Sequence, residues 1–460
     1  MLQKQGTHFE ISERKLFLRI IDVLIIWFSV FILNHFTDFY YISLNQNFAP
    51  YLILLSFYYL LFATIFEMYH LQKAESRFII VKNLFLTSLL TIFVFLFTPI
   101  LSPQLPSNRI EVLFLFSVIF VPIAIWRFLY IGLISAPRFT KKVVLVGENF
   151  NPQQIKNELE NADSNIHVIG FLDGKNEQKN CDKCIQFNES NFLNGIKEHR
   201  ITEVLVTNSY EGVNQNLQSL LYPLLEKGLT IKPYSHVYEN LTDKVLVENI
   251  ENDFYCYFPF NKNNSNQFYL TINRLVNITV SSLGLFLSLP LLPFVLIGNM
   301  MGNRGPLLYT QKRVGKYGQV FKIYKLRSMV TNAEKSGAQW AEKNDNRVTA
   351  FGKFLRKTRL DEIPQFINIL NGDMSLIGPR PERPEFVEEL AKTIPFYKIR
   401  NVIKPGLTGW AQVNARYAAT DRDSLEKLQY DLYYIKNRGL FIDFRITIKT
   451  LSTVIFFRGQ

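Results

Sequence analysis

The groups able to do chemistry in this 460-residue chain crowd into its last third, and what is missing there narrows the chemistry as much as what is present. Residues 301–460 contain no His and no Cys; the six histidines are His8, His35, His70, His167, His199 and His236. A Ser-His-Asp triad, a Cys-His nucleophile or a histidine-bound zinc is therefore excluded there unless another domain lends a residue. Carboxylates and cations must do the work. They come in clusters: Lys322-Ile-Tyr-Lys325-Leu-Arg327-Ser-Met, then Arg356-Lys357-Thr-Arg359-Leu-Asp361-Glu362-Ile-Pro364, then Gly372-Asp373-Met-Ser-Leu-Ile-Gly378-Pro379-Arg380-Pro381-Glu382, and finally Lys404-Pro405-Gly406-Leu-Thr-Gly409-Trp410-Ala-Gln412-Val-Asn414. Asp361 and Glu362 are adjacent, so on a helix their carboxylates would point about 100° apart, which suits two roles better than one shared proton. Pro364 and the spacing of Phe366, Ile367 and Leu370 predict a helix starting close to Asp361, where free N–H groups and the positive end of the dipole favour a phosphate. Taken alone, the pair reads more simply as an N-cap followed by a first-turn acid. Asp421-Arg-Asp423 offers a second, weaker carboxylate pair of the DxD kind, which would serve a metal-dependent glycosyltransferase that moves the sugar alone and releases UDP.

These clusters need elements to hold them, and the composition describes a membrane-associated chain. Hydrophobic residues make up 48 % and charged residues only 20 %, with 40 Phe, and mean hydropathy is +0.05. That excludes disorder and most ordinary soluble enzymes. Four apolar runs in the first third, at 16–36, 51–66, 78–101 and 110–134, approach the roughly 20 residues that cross a bilayer. Arg19, Asp22, Lys82, Glu111 and Arg127 lie toward the ends of these runs, where long side chains can snorkel to the interface. Basic residues flank the bundle at Arg14 and Lys15, at Lys73 and Arg77, and at Arg138, Lys141 and Lys142, which predicts cytoplasmic N- and C-terminal ends. After Lys142 short apolar strands around Val143–Val146, Val168–Phe171 and Glu203–Thr207 alternate with polar helical stretches, the pattern of a parallel, Rossmann-like sheet. Its first turn, Gly147-Glu148-Asn149-Phe150-Asn151, holds one glycine where a dinucleotide fingerprint needs several, so a scaffolding or regulatory module is expected. Cys181, Cys184 and Cys256 cannot form a disulfide framework, and Cys181-Asp-Lys-Cys184 lacks further zinc ligands, so it reads as an ordinary loop. A fifth apolar run at 275–298 is broken by Pro290 and Pro293. It has Lys262 and Arg274 before it and a basic cluster from Arg304 to Arg327 after it, which favours a re-entrant helix over a crossing.

In register and in order, the four clusters resemble the bacterial sugar transferase family of polyprenyl-phosphate hexose-1-phosphate transferases, over about 269–460. The whole chain resembles the large members, with four spans and a Rossmann-like module ahead of the catalytic unit. One departure is that the family's Ser-Pro helix break reads Leu289-Pro290, with Ser288 one place early. The resemblance implies a membrane α-helical bundle (1–138), a Rossmann-like α/β domain (139–250), a linker (251–268) and a mainly α membrane-associated catalytic domain (269–460) with a re-entrant helix at 270–299. It implies that Asp361 attacks the β-phosphorus of a UDP-sugar and releases UMP, and that undecaprenyl phosphate takes the phosphosugar from the aspartyl intermediate. Such transferases start exopolysaccharide, capsule or O-antigen synthesis at the cytoplasmic face of the bacterial inner membrane. By the same match, Glu362 assists, Lys325, Arg356 and Arg380 hold phosphate oxygens, Arg327 and Gln412 contact substrate, and Asp361 helps hold Mg2+. The remaining partner expected is inner-membrane lipid; the sequence leaves oligomeric state open, with the Rossmann-like module the candidate contact for a homodimer. Nucleic acid is not among the expected partners, since the cations crowd around acids and prolines and form no clean stripe.

Overall fold

The computed structural model describes residues 11–36, 41–42, 48–66, 68–69, 77–98, 101–106, 108–134, 140–148, 150–163, 165–174, 179–207, 215–247, 266–331, 333, 345–415 and 420–455. The chain divides into two compact units, Met1–Thr242 and Asp243–Gln460. Lys262 and Cys256 lie outside the described residues.

The first unit opens with four helices, α1 (Ile11–Phe36), α2 (Phe48–Ile65), α3 (Arg77–Leu96) and α4 (Arg109–Ile134). Three of them carry stretches long and apolar enough to cross a membrane, Leu16–Phe36, Phe48–Ile65 and Arg109–Gly132, while the apolar part of α3, Ile80–Leu96, is shorter. Leu18, Ile26, Tyr59, Leu84, Ile119 and Ile123 meet in one core, and Phe28, Phe57, Phe93 and Leu113 face outward, the arrangement lipid requires. Asp22 and Arg127 correct the expectation that they sit at the interface. They pair inside the bundle at 2.6 Å with 0 % and 1 % of their side chains exposed, and the Tyr69 hydroxyl donates to the same Asp22 oxygen. The two opposite charges pair across α1 and α4, which is how ionisable groups persist inside an apolar bundle.

The α/β part follows the strand, helix alternation read from the sequence. Strands β1 (Lys141–Gly147), β2 (Ile166–Asp173), β3 (Ile185–Phe187), β4 (Glu203–Val206) and β5 (Thr230–Pro233) pair in the order 3-2-1-4-5. Every pairing is parallel, with Leu145 opposite Phe171 on one side and Leu205 on the other. Helices α5 (Pro152–Ala162), α6 (Glu189–Glu198), α7 (Gln215–Glu226) and α8 (Tyr234–Thr242) complete it. At the start of α5 the Asn151 side chain accepts from the N–H groups of Gln153 and Gln154, occupying donors a pyrophosphate would need. Cys181 and Cys184, in the segment read as an ordinary loop, are joined by a disulfide.

The second unit begins with residues 243–247, which pack into its core: Val245 and Val247 are buried with Leu428 and Leu432, and the Val245 N–H donates to Gln429 O. An apolar helical stretch, Gln267–Asn303, follows. It comprises α9 (Gln267–Ser288), a 3-10 turn (Leu289–Leu291), α10 (Leu292–Gly298) and a π turn (Asn299–Asn303). The break falls at Pro290 as read from the sequence, and its carbonyls are sealed locally. The Leu289 N–H donates to Phe286 O, the Leu292 N–H to Leu289 O, and the Ser288 hydroxyl to Leu285 O. Hairpin strands β6 (Leu308–Val314) and β7 (Val320–Leu326) come next, then α11 (Ala350–Thr358), a 3-10 turn (Leu360–Glu362), α12 (Gln365–Asn371), β8 (Ser375–Ile377), α13 (Pro384–Thr393), a 3-10 turn (Tyr397–Val402), β9 (Gly406–Thr408), α14 (Trp410–Asn414), α15 (Asp421–Asn437) and α16 (Leu440–Ile455). Strands β8 and β9 pair in parallel.

Because Val245 and Val247 fill the second unit's core, a chain begun at Asp243 is expected to be more stable than one begun at Tyr269 by about 3 kcal/mol or more, at about 1.5–3 kcal/mol for each buried valine. Thermal midpoints of the two purified fragments in one detergent check this; equal midpoints would refute it.

Candidate active site

The site is assembled around Glu362. Helix α11 starts on the Thr349 side chain, which accepts from the Gly352 N–H, and lies directly on the preceding strand. A Cβ on Gly352 would come within 1.9 Å of Ser328 O, so only glycine permits the approach. The helix ends where Arg359 adopts a left-handed backbone (φ 61°), and the chain turns through Leu360–Glu362 before α12 begins. Helical backbone thus begins close to Asp361 as expected, in a 3-10 turn, with α12 proper from Gln365, and what is corrected is the expectation of free N–H groups there. The pair sits in a tight turn between two helices, and the N–H groups of Glu362, Ile363, Phe366 and Ile367 are spent on backbone carbonyls, unavailable to a phosphate. Asn368, fully buried on α12, bolts this turn to β7: its side chain accepts from the Tyr324 N–H and donates to Lys322 O. That register puts the Lys325 ammonium 3.6 Å from Glu362 Oε1.

Arg380 approaches the same oxygen from the other side, donating at 3.1 Å. It stands on the loop after β8, where two glycine-rich segments touch backbone to backbone. A Cβ on Gly406 would lie 2.1 Å from Gly378 N. With Arg380 and Lys325 both on it, Glu362 overcomes its burial and is held down to about pH 2, well below the usual carboxylate range. Asp361 moves the opposite way. Burial, then the Glu362 charge, pushes it up to about 6, against the opposing pull of Lys325, Arg356 and Arg359. Its Oδ1 is buried with no hydrogen-bond partner. Two neighbouring carboxylates with acidities driven apart are the signature of divided roles. Glu362 is ionised, ion-paired and fixed, whereas Asp361, also ionised at neutral pH, has an Oδ1 with no partner, fit to attack an electrophile or to bind a cation.

The structure therefore gathers Asp361, Glu362, Lys325, Arg356 and Arg380 into one electrostatic cluster. The Arg356 Nε also donates to Ser328 Oγ. Arg327 is placed elsewhere. It is 7 % exposed and donates from Nη2 to Asn303 O, at the base of the apolar helical stretch. Gln412, on α14, has a buried Nε2 with no hydrogen-bond partner. Asp423 of the DxD-like pair is a helix cap, locked in a reciprocal box with Thr420. Sequence reasoning passed over Arg359, although its place two residues before Asp361 was signal enough, and Arg313, which no local pattern marks. Burial lowers Arg313 to about 10 against the pull of Glu382, and it donates to Pro381 O beside Arg380.

A raised acidity constant has a stability consequence. Asp361 is ionised at pH 7 in both folded and unfolded chains, but its ordinary value of 3.8 rises to about 6 on folding, so its ionisation destabilises the fold increasingly from about pH 4 and fully above about pH 6. Asp361→Asn is expected to be more stable than wild type at pH 7.5 by about 3 kcal/mol, on the scale of 1.4 kcal/mol per unit, and so to melt at a higher temperature. The advantage should shrink as pH falls from about 6 toward 4. Melting curves of both proteins across that range check it; a lower midpoint for the variant at pH 7.5 would refute the assignment.

Comparison with known proteins bears on the same residues. The family model described as bacterial sugar transferase matches 268–457, which holds every group of the cluster. A UDP-N-acetylgalactosamine-undecaprenyl-phosphate N-acetylgalactosaminephosphotransferase of Aeromonas hydrophila is 42 % identical over 218 residues, 47 % of this chain and 50 % of that one. A relative from Bacillus subtilis (strain 168) is 52 % identical over 132 residues, 29 % of this chain and 74 % of that one. A UDP-glucose:undecaprenyl-phosphate glucose-1-phosphate transferase of Escherichia coli (strain K12) is 38 % identical over 186 residues, 39 % of this chain and 40 % of that one. The chain thus spans about half the length of the Aeromonas relative, and the similarity lies in the part that holds the carboxylate pair and its cations. With the resemblance read from the motifs met by this match, the chain belongs to the bacterial sugar transferase family.

Proposed function

We propose that this chain transfers a sugar 1-phosphate from a UDP-sugar to undecaprenyl phosphate and releases UMP. The observation that carries this reading is the buried, unpartnered Asp361 Oδ1 beside a Glu362 ion-paired with Lys325 and Arg380. Asp361 attacks the β-phosphorus, the bond from that phosphorus to the bridging oxygen breaks, and UMP departs with the electron pair. A phosphate oxygen of undecaprenyl phosphate then attacks the aspartyl phosphosugar and returns the carboxylate. Splitting one transfer between anions into two steps is the logic of covalent catalysis. Lys325, Arg356 and Arg380 hold phosphate oxygens as charge builds, and guanidinium forks suit that task. Glu362 keeps Lys325 and Arg380 in place and, by its own negative charge, keeps Asp361 basic.

Magnesium fits this donor set. Asp361 offers a bare oxygen, and among the described residues no group of three or more metal-ligating side chains surrounds it. A hard cation there would share Asp361 with substrate phosphates and water, as magnesium does. When bound it would offset repulsion between carboxylate and diphosphate. The names of the relatives support the donor and acceptor classes, and the apolar helices support action at a bilayer. The inner membrane, with the site on its cytoplasmic face and the product feeding exopolysaccharide, capsule or O-antigen synthesis, is the setting we assign.

Purified protein given a panel of UDP-sugars with undecaprenyl phosphate and magnesium is expected to release UMP with at least one of them, and Asp361→Asn to lose essentially all turnover and any covalent phosphosugar adduct. UDP as product, or wild-type turnover in the variant, would overturn the mechanism. The broken stretch Gln267–Asn303 should return to the face it entered, given basic residues on both flanks. Single cysteines at Asn266 and Lys316, in a chain freed of its own three, should resist an impermeant maleimide in intact cells. Labelling of just one from outside would make the stretch a crossing.

A further inference from the structure

We infer that Arg400, anchored by Asp431, is a positioning residue that aims Arg380 at Glu362. This rests on the transferase reading only for what Arg380 does, not for how it is held. The Arg380 side chain is 42 % exposed and donates to Glu362, so close packing does not fix its direction. The loop backbone must. Pro379 and Pro381 flank Arg380 and carry no N–H, which leaves the loop to be gripped by its carbonyls. Four consecutive ones accept hydrogen bonds: Pro379 O from the Gly406 N–H and Glu382 O from the Val314 N–H, Pro381 O from Arg313, and Arg380 O from Arg400 Nη2 at 3.1 Å. Arg400 thus holds the very residue whose side chain reaches Glu362.

Arg400 is itself over-determined. It is 4 % exposed and its Nη2 forms an ion pair with Asp431 at 2.8 Å, Asp431 being 2 % exposed. Its Nη1 donates to the Tyr397 hydroxyl at 2.6 Å and lies 3.9 Å from Glu382 Oε1. A planar guanidinium can serve a carbonyl, a hydroxyl and a carboxylate together, which a lysine ammonium on a flexible stem cannot do in the same geometry. Removing either buried partner would leave a charge uncompensated, so the conservative Arg400→Lys is the informative variant.

The test follows two readouts in the full-length protein. First, phenylglyoxal modification of Arg380, mapped by mass spectrometry, should run at least about threefold faster in Arg400→Lys than in wild type, because the guanidinium no longer sits on Glu362. An unchanged rate overturns the inference. Second, UMP release should fall by about tenfold or more in Arg400→Lys, as misplaced catalytic groups do. In an Arg380→Lys background, the same change should cost less than about twofold further, the mark of two residues acting through one. Losses that multiply overturn the inference as well. If wild type releases no UMP from any UDP-sugar, the transferase reading falls, while the modification rate still decides how Arg380 is held. Should Arg400→Lys fail to fold, Tyr397→Phe removes only the hydroxyl that orients Nη1. Faster modification of Arg380 in that variant supports the inference, and a wild-type rate overturns it.

Discussion

Glu362 accepts a hydrogen bond from Arg380 and lies within ion-pair distance of Lys325, and the rest of the catalytic unit is organised to keep those two cations on that one carboxylate. Without them Glu362 would resist ionisation in its buried turn, and a neutral Glu362 would leave Lys325 and Arg380 free to close on Asp361. A reactive Asp361 therefore depends on its neighbour being satisfied first. The three groups come from a strand, a turn and a loop that are distant in sequence. Their convergence depends on backbone contacts that leave little tolerance, Gly352 on Ser328 and Gly406 on Gly378.

The apolar helical stretch belongs to this frame rather than merely anchoring it. Arg274 on α9 donates both guanidinium nitrogens to the last carbonyls of α12, Ile369 O and Leu370 O, capping the helix that follows the carboxylate pair. Asn277 accepts from the Leu376 N–H, and a Cβ on Gly284 would strike the Phe366 ring. At the other end Arg327 and Asn303 exchange hydrogen bonds, tying the base of the stretch to the end of β7. The carboxylate turn and the strand beside it are thus held from both ends of one apolar element.

What could be read from the sequence followed from local physics. Apolar runs of bilayer length stand out wherever they occur, and the strands around Val143, Val168 and Glu203 showed themselves by short branched runs between polar helices. The cations around Asp361 were legible because they travel in clusters with it. What escaped notice needed the third dimension. Asp22 and Arg127 each looked like an interfacial charge until two helices crossed them. The left-handed residue Arg359 ends α11 and leads into the 3-10 turn that carries Asp361, a detail the periodicity of Phe366 and Ile367 does not give because it fixes a face and not a first residue. Arg400 and Asp431 carry no local signal at all, since an isolated arginine and a mid-helix aspartate are ordinary on any surface.

The two units bury carboxylates in opposite ways. Asp22 has Arg127 at 2.6 Å and the Tyr69 hydroxyl on the same oxygen. Its charge is answered by one dedicated cation that ties α1 to α4, although its Oδ1, like that of Asp361, has no hydrogen-bond partner. Asp361 is also buried, but the cations nearest its turn are engaged by Glu362, and they act on Asp361 through their field while leaving Oδ1 bare. Under the proposed mechanism, a carboxylate with no ion pair of its own meets an electrophile without first breaking a bond to the protein. The two sites differ in where the cations go: Asp22 keeps Arg127 to itself, whereas Lys325 and Arg380 sit on the residue that follows Asp361.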